Sequence, residues 1–234
     1  MNQGSLKEAE AIYRELIAAG TKNSATFSNL AAICGMQKRF NELTGLLTIA
    51  LELAPNNPDA HNNLGNAHKE KGDLNAAIAS YKKALELKPD HPVLHYNLGS
   101  TLHVRGDLNS AIASYNKAVE LRPNYPEAHN NLGNAHKEQG DLNAAIASYK
   151  KALVLRPNYP EAHNNLGVAL KEQGNLNAAI ASHNKALELR PNYPEAHNNL
   201  GIALKEQGDL NAAIASYNKA LELRPNYPEA HNHL

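Results

Sequence analysis

The chain has 234 residues, 42% hydrophobic and 20% charged, with 23 Lys and Arg set against 23 Asp and Glu. A net charge of zero lacks the basic footprint of a general nucleic-acid or anionic-membrane binder, and no apolar run approaches the roughly 20 residues that span a bilayer. A single cysteine, Cys34, excludes an internal disulfide framework and fits a reducing, cytoplasmic setting.

In chain order, residues 1–23 read as the second half of a helical hairpin, with Leu6, Ala9, Tyr13 and Leu16 at helical spacing. Residues 24–57 are a degenerate copy of the pattern that follows, with Leu30, Ala31, Leu43, Leu47, Ala50 and Pro55 in matching places. From residue 58 the period is strict. Proline recurs at 55, 89, 123, 157, 191 and 225, and glycine at 65, 99, 133, 167 and 201, both 34 residues apart. Self-similarity at such a period is the signature of a stacked array. The full repeats are 58–91, 92–125, 126–159, 160–193 and 194–227, followed by a truncated copy at 228–234.

Each repeat reads as two helices. Pro58 suits a first helical turn, where its missing N–H costs nothing. Gly72 ends the first helix and Asp73 is a good N-cap for the second. Leu74, Ala77, Ile78, Tyr81, Ala84, Leu85 and Leu87 give the second helix an apolar stripe, and Pro89 forbids its continuation. No segment alternates with period two, so no strand is predicted.

The 34-residue unit with Leu64, Gly65, Ala77, Tyr81, Ala84 and Pro89 resembles the tetratricopeptide repeat. The resemblance covers the whole chain. It implies an all-α, right-handed superhelical solenoid of antiparallel helix-turn-helix hairpins, with the first helices lining a concave groove. One departure is consistent. The fourth place, usually a large aromatic in that family, holds His61, His95, His129, His163, His197 and His231. These rings are read as half-buried packing residues with lowered pKa values, so that stability falls on acidification. At one per repeat they are too far apart for one metal centre. No phosphate loop, HExxH motif, cysteine pair or catalytic triad is present, so neither enzymatic activity nor a metal or other cofactor is expected.

The functional signal is asparagine. Asn63, Asn97, Asn131, Asn165 and Asn199 occupy the sixth place, and Asn62, Asn130, Asn164 and Asn198 the fifth. A carboxamide offers an acceptor and two donors, enough to pair with both groups of an extended backbone. Neutral duplication of solvated residues, or bonding to the next repeat, would produce the same row. The row resembles the asparagine ladder in the repeat array of O-linked N-acetylglucosamine transferase, which implies peptide or protein binding in the groove. Anchors come from two sets of residues. The ninth place runs from Asn134 to Val168 and Ile202, becoming apolar along the array. The tyrosines Tyr125, Tyr159, Tyr193 and Tyr227 are either groove anchors or staples on their own helices.

The expected function is therefore an interaction scaffold for an extended peptide or protein partner, without nucleic acid or membrane. The alternatives are a substrate-recruiting arm of a larger, glycosyltransferase-like enzyme and a self-assembly module. The array begins and stops within a repeat, which reads as a piece of a longer array. An open seam near Leu221, Leu223 and Leu234 would favour head-to-tail association.

Overall fold

The computed structural model describes residues 3–233; Leu234, one of the three predicted seam residues, lies outside them. Among the described residues the secondary structure is helical, without strands. The chain divides between Leu121 and Arg122 into two compact units.

The first unit contains α1 (Gln3–Ala18) and three hairpins: α2 (Ser24–Met36) with α3 (Phe40–Leu53), α4 (Pro58–Glu70) with α5 (Leu74–Leu87), and α6 (Pro92–Val104) with α7 (Leu108–Leu121). Each second helix also packs on the first helix of the next hairpin, α3 on α4 and α5 on α6. The second unit follows the same plan. It pairs α8 (Pro126–Glu138) with α9 (Leu142–Leu155), α10 (Pro160–Glu172) with α11 (Leu176–Leu189), and α12 (Pro194–Gln207) with α13 (Leu210–Leu223), and it closes on the short α14 (Pro228–His231). This sharing of apolar faces between neighbours is why no single hairpin has to bury its own stripe.

Local chemistry sets the boundaries. Asp73 and Asp141 cap the second helices, accepting from the backbone of Ala76 and Ala144 at 3.0 and 2.9 Å. Gly140 turns the chain in the left-handed region at φ +90°. In the degenerate repeat Lys38 holds the corresponding place at φ +58°, where a Cβ costs about 1–2 kcal/mol.

The core is built on small residues against rings. Ala77, Ala84, Ala145 and Ala152 are fully buried, as are Tyr81, Tyr115, Tyr149 and Tyr217, at 0–1% exposure. Each tyrosine ring lies on the eighth-place glycine of its own repeat: a Cβ built on Gly65 would stand 2.6 Å from Tyr81 and one on Gly133 2.5 Å from Tyr149. Hydrogen alone fits there.

The apolar surface at the end of the second unit differs from the expected seam. Leu221 and Leu223 are half-buried, whereas Leu210 and Ile214 of α13 are 58% and 47% exposed. The covering helix explains this: in an earlier repeat the equivalent Ile146 is buried in one cluster with Leu166, Ala169 and Leu170 of α10, whereas the described α14 spans only four residues.

Candidate functional site

The repeat array places its polar side chains on the faces of the first helices. The asparagine pairs there divide the work. In the second unit Asn130, Asn164 and Asn198 are buried, each 5% exposed. The sixth-place side chain of the following repeat reaches them. Asn165 donates to Asn130 Oδ1 and to Asn134 Oδ1, both at 3.1 Å, and Asn199 donates to Asn164 Oδ1 at 3.1 Å. In the first unit Asn97 donates to Asn62 Oδ1 at 2.9 Å. Fifth-place carbonyls thus bind one repeat to the next. The sixth-place groups are less deeply placed: Asn97, Asn131, Asn165 and Asn199 are half-buried and Asn63 is exposed. Asn198 Oδ1 has no partner among the described residues, because position 233, where the next asparagine would fall, is His233, stacked on Tyr217 at 5.3 Å. Asn165→Ala removes two bonds and strands the buried Asn130 acceptor, so it should destabilise the protein by about 1–3 kcal/mol. A smaller loss is expected from Asn97→Ala, which removes one; denaturant melts of the two variants provide the check.

In the second unit these groups surround an open cleft of about 590 Å³. Its walls are Asn130, Asn131, Asn134, Asn158 and Asn165 with Arg156, Tyr159, Glu161 and Tyr193. The tyrosines are held in place. The guanidinium of the arginine three residues earlier covers each ring, Arg156 over Tyr159 at 4.9 Å and Arg190 over Tyr193 at 4.8 Å. The same arginines pair with Glu127 and Glu161 on the preceding first helix. These contacts extend the staple reading of the tyrosines: the partner is an arginine cation. The recurring Arg-Pro-Asn-Tyr string carried that signal.

A second feature lies in the first unit. Where Tyr81 stands in its own repeat, the degenerate repeat has Leu47, and Ala31 replaces the eighth-place glycine. The smaller side chain leaves a largely apolar pocket of about 250 Å³, lined by Ala31, Phe40, Leu43 and Leu47, with Asn63, Asn66 and Glu70 at its rim. Sequence reasoning missed it, although the replacement of the tyrosine by leucine was there to be read.

The ninth place also behaves differently in each repeat. Asn66 and Asn134 accept the phenol hydroxyls of Tyr81 and Tyr149 at 2.6 and 2.8 Å. Val168 and Ile202 have no such group and border a smaller cavity beside His183.

The fourth-place histidines have a role that sequence analysis did not assign. His61, His95, His163 and His231 direct Nε2 at the carbonyl of the proline six residues earlier, at 2.7–2.9 Å, and His129 and His197 do so at 3.1 and 3.0 Å. A carbonyl only accepts, so Nε2 carries the proton in each. These bonds fasten the inter-repeat loop to the helix that follows it, a task that an apolar aromatic could not perform. Among the described residues no three His, Cys, Asp or Glu side chains converge on a metal-sized centre, and no helix is long and apolar enough to cross a membrane.

Comparison with known proteins matches this geometry. A TPR repeat family model covers residues 65–104, 100–140, 133–174 and 169–208, and two tetratricopeptide repeat models cover 194–227 and 46–79. The crystal structure of the MamA protein aligns with a TM-score of 0.66 at 30% identity, over 72% of this chain and 92% of that one. YrrB, described as a TPR protein with an unusual peptide-binding site, aligns at 0.66 and 23% identity over 80% of this chain and 96% of its own. PilF of Pseudomonas aeruginosa aligns at 0.75 and 19% identity over 97% of both chains. A comparison with curated protein sequences gives no significant match. With its 34-residue hairpins, glycine–tyrosine contacts and matching family models, the chain belongs to the tetratricopeptide repeat family, whose fold is a scaffold for protein interactions.

Proposed function

We propose that the chain is a scaffold that takes an extended segment of a partner protein along the faces of its first helices. The observation that carries this reading is the open cleft of the second unit, walled by five asparagines. Carboxamides there can pair with main-chain N–H and C=O groups whatever the ligand's sequence. The likeness of the row to the asparagine ladder of O-linked N-acetylglucosamine transferase supports the same reading; no catalytic role is part of it. Buried Cys34, whose thiol pKa burial raises, is consistent with a reduced cytoplasmic protein.

Magnitudes assign the parts. Each hydrogen bond to a ligand is worth roughly 0.5–1.5 kcal/mol net, little against the entropic cost of association. Burying one leucine-sized side chain adds about 1.5–3 kcal/mol. The apolar pocket beside Leu47 therefore offers an anchor within the first unit, and the carboxamide cleft offers main-chain pairing within the second.

The test is the double substitution Ala31→Gly with Leu47→Tyr, which installs the glycine–tyrosine pair of the other repeats and fills the pocket. The variant should fold, by circular dichroism, and should bind members of a random decapeptide array at least about tenfold more weakly. Unchanged binding by a folded variant removes the pocket from the site.

Self-association is a second reading, favoured by exposed apolar side chains on outer helices. Ile12 and Leu16 on α1 are 56% and 44% exposed, and Leu210 and Ile214 on α13 are 58% and 47% exposed. A monomeric mass at high concentration in light scattering would remove it.

A further inference from the structure

His183 occupies the place that Tyr81, Tyr115, Tyr149 and Tyr217 hold in other repeats, and it is 0% exposed. Its Nδ1 lies 3.1 Å from Asn164 Oδ1. That oxygen also accepts from Asn199, so it is an acceptor toward both neighbours and Nδ1 carries the ring proton. Nε2 is left with a lone pair, buried and without a partner among the described residues. Burial, helped by the positive charge of Lys171, lowers the pKa of the ring to about 4, which keeps it neutral near pH 7.

The ring lines a cavity of about 60 Å³ together with Val168, Lys171, Asn199 and Ile202. These residues belong to the first helices α10 and α12, the face that carries the asparagine row. The cavity has a simple origin. In the repeat before it, the Tyr149 hydroxyl reaches out to Asn134 and fills the corresponding space. Here both members of that pair are changed, tyrosine to histidine and asparagine to valine. The shorter ring leaves volume, and its nitrogen needs a donor.

We propose that this cavity is a side-chain subsite for threonine or serine, with the ligand hydroxyl donating to His183 Nε2 and the threonine methyl resting on Val168 and Ile202. Other side chains fit worse on chemical grounds. A carboxylate sets an acceptor against a lone pair. An apolar group leaves Nε2 unpaired at a cost. An ammonium meets Lys171, and an aromatic ring exceeds the volume. The subsite rests on the peptide-groove reading and adds selectivity to it.

The test uses positional-scanning decapeptides carrying Thr, Ser, Val, Ala or Asp at each position in turn. They are offered to the full chain, to His183→Tyr, and to the double variant Val168→Asn with His183→Tyr, which restores the tyrosine–asparagine pair. Circular dichroism checks folding, and the double variant serves if the single one folds poorly. The expected result is a preference of about tenfold for Thr over Val and Asp at one position. The preference should disappear in the double variant, which should then bind the Thr and Val peptides alike. If peptides bind without it, or if it survives in the double variant, the subsite is overturned and the groove stands. Failure of the full chain and of both variants to bind any peptide overturns the groove reading and the subsite with it.

Discussion

Gly133→Ala should destabilise the protein by about 2 kcal/mol net, while Gly167→Ala should be close to neutral. Both glycines sit at the eighth place of a first helix, where alanine is preferred by about 1 kcal/mol on propensity alone. The difference lies in what the new methyl meets. A Cβ on Gly133 would stand 2.5 and 2.7 Å from the Tyr149 ring, which is fully buried and tied by its hydroxyl to Asn134. That ring has nowhere to go, so overpacking at or above the usual range of about 1–3 kcal/mol exceeds the propensity gain. A Cβ on Gly167 would meet the His183 ring at 2.6 Å, but that ring adjoins a cavity of about 60 Å³ and can move into it. Paired denaturant melts decide the matter. Equal losses would mean that the His183 ring is held as tightly as the tyrosine.

Acidification from pH 7.5 to 4 should cost about 3 kcal/mol through His183 alone, a fall of roughly 6–12 °C in Tm. The sign follows from the direction of the shift. The folded-state pKa of about 4 lies below the unfolded value near 6.5. The unfolded chain therefore takes up the proton first. Stability is complete above the unfolded value and is lost as pH falls from about 6.5 toward 4. His129 and His197 act in the same direction: burial lowers their pKa values, opposed in part by the bonds to the Pro123 and Pro191 carbonyls. His183→Tyr should remove most of the acid sensitivity, since a phenol does not titrate in this range. Melts of wild type and variant at a series of pH values test this. A variant as acid-sensitive as the wild type would assign the effect to other groups. The expectation from sequence placed this sensitivity in the fourth-place histidines. The structure shifts most of it to one ring at the tyrosine place, because depth of burial governs the shift.

The hairpin plan was legible in the sequence because its determinants are local. Pro126 and Pro160 constrain φ and open helices, Gly140 admits a left-handed turn, and Asp73 and Asp141 satisfy free N–H groups within three residues. The period of 34 then requires every hairpin to meet its neighbour in nearly the same way. The row of asparagines was legible for the same reason, but its internal pairing was not. Asn165 and Asn130 are 35 residues apart and meet only because α10 packs against α8. The histidine bonds to proline carbonyls were missed because they depend on where a loop folds back, although a constant spacing of six marked them.

What the sequence by itself determined is thus the repeat, its helices and the glycine–tyrosine contact that sets the spacing within a hairpin. What only the tertiary structure decided is where that packing is incomplete. Leu47 and His183 each stand at a place built for a tyrosine, between backbones whose separation neighbouring repeats hold. The volume left over depends on that separation and on how far neighbouring side chains relax into it. Identity at a single position does not supply either quantity.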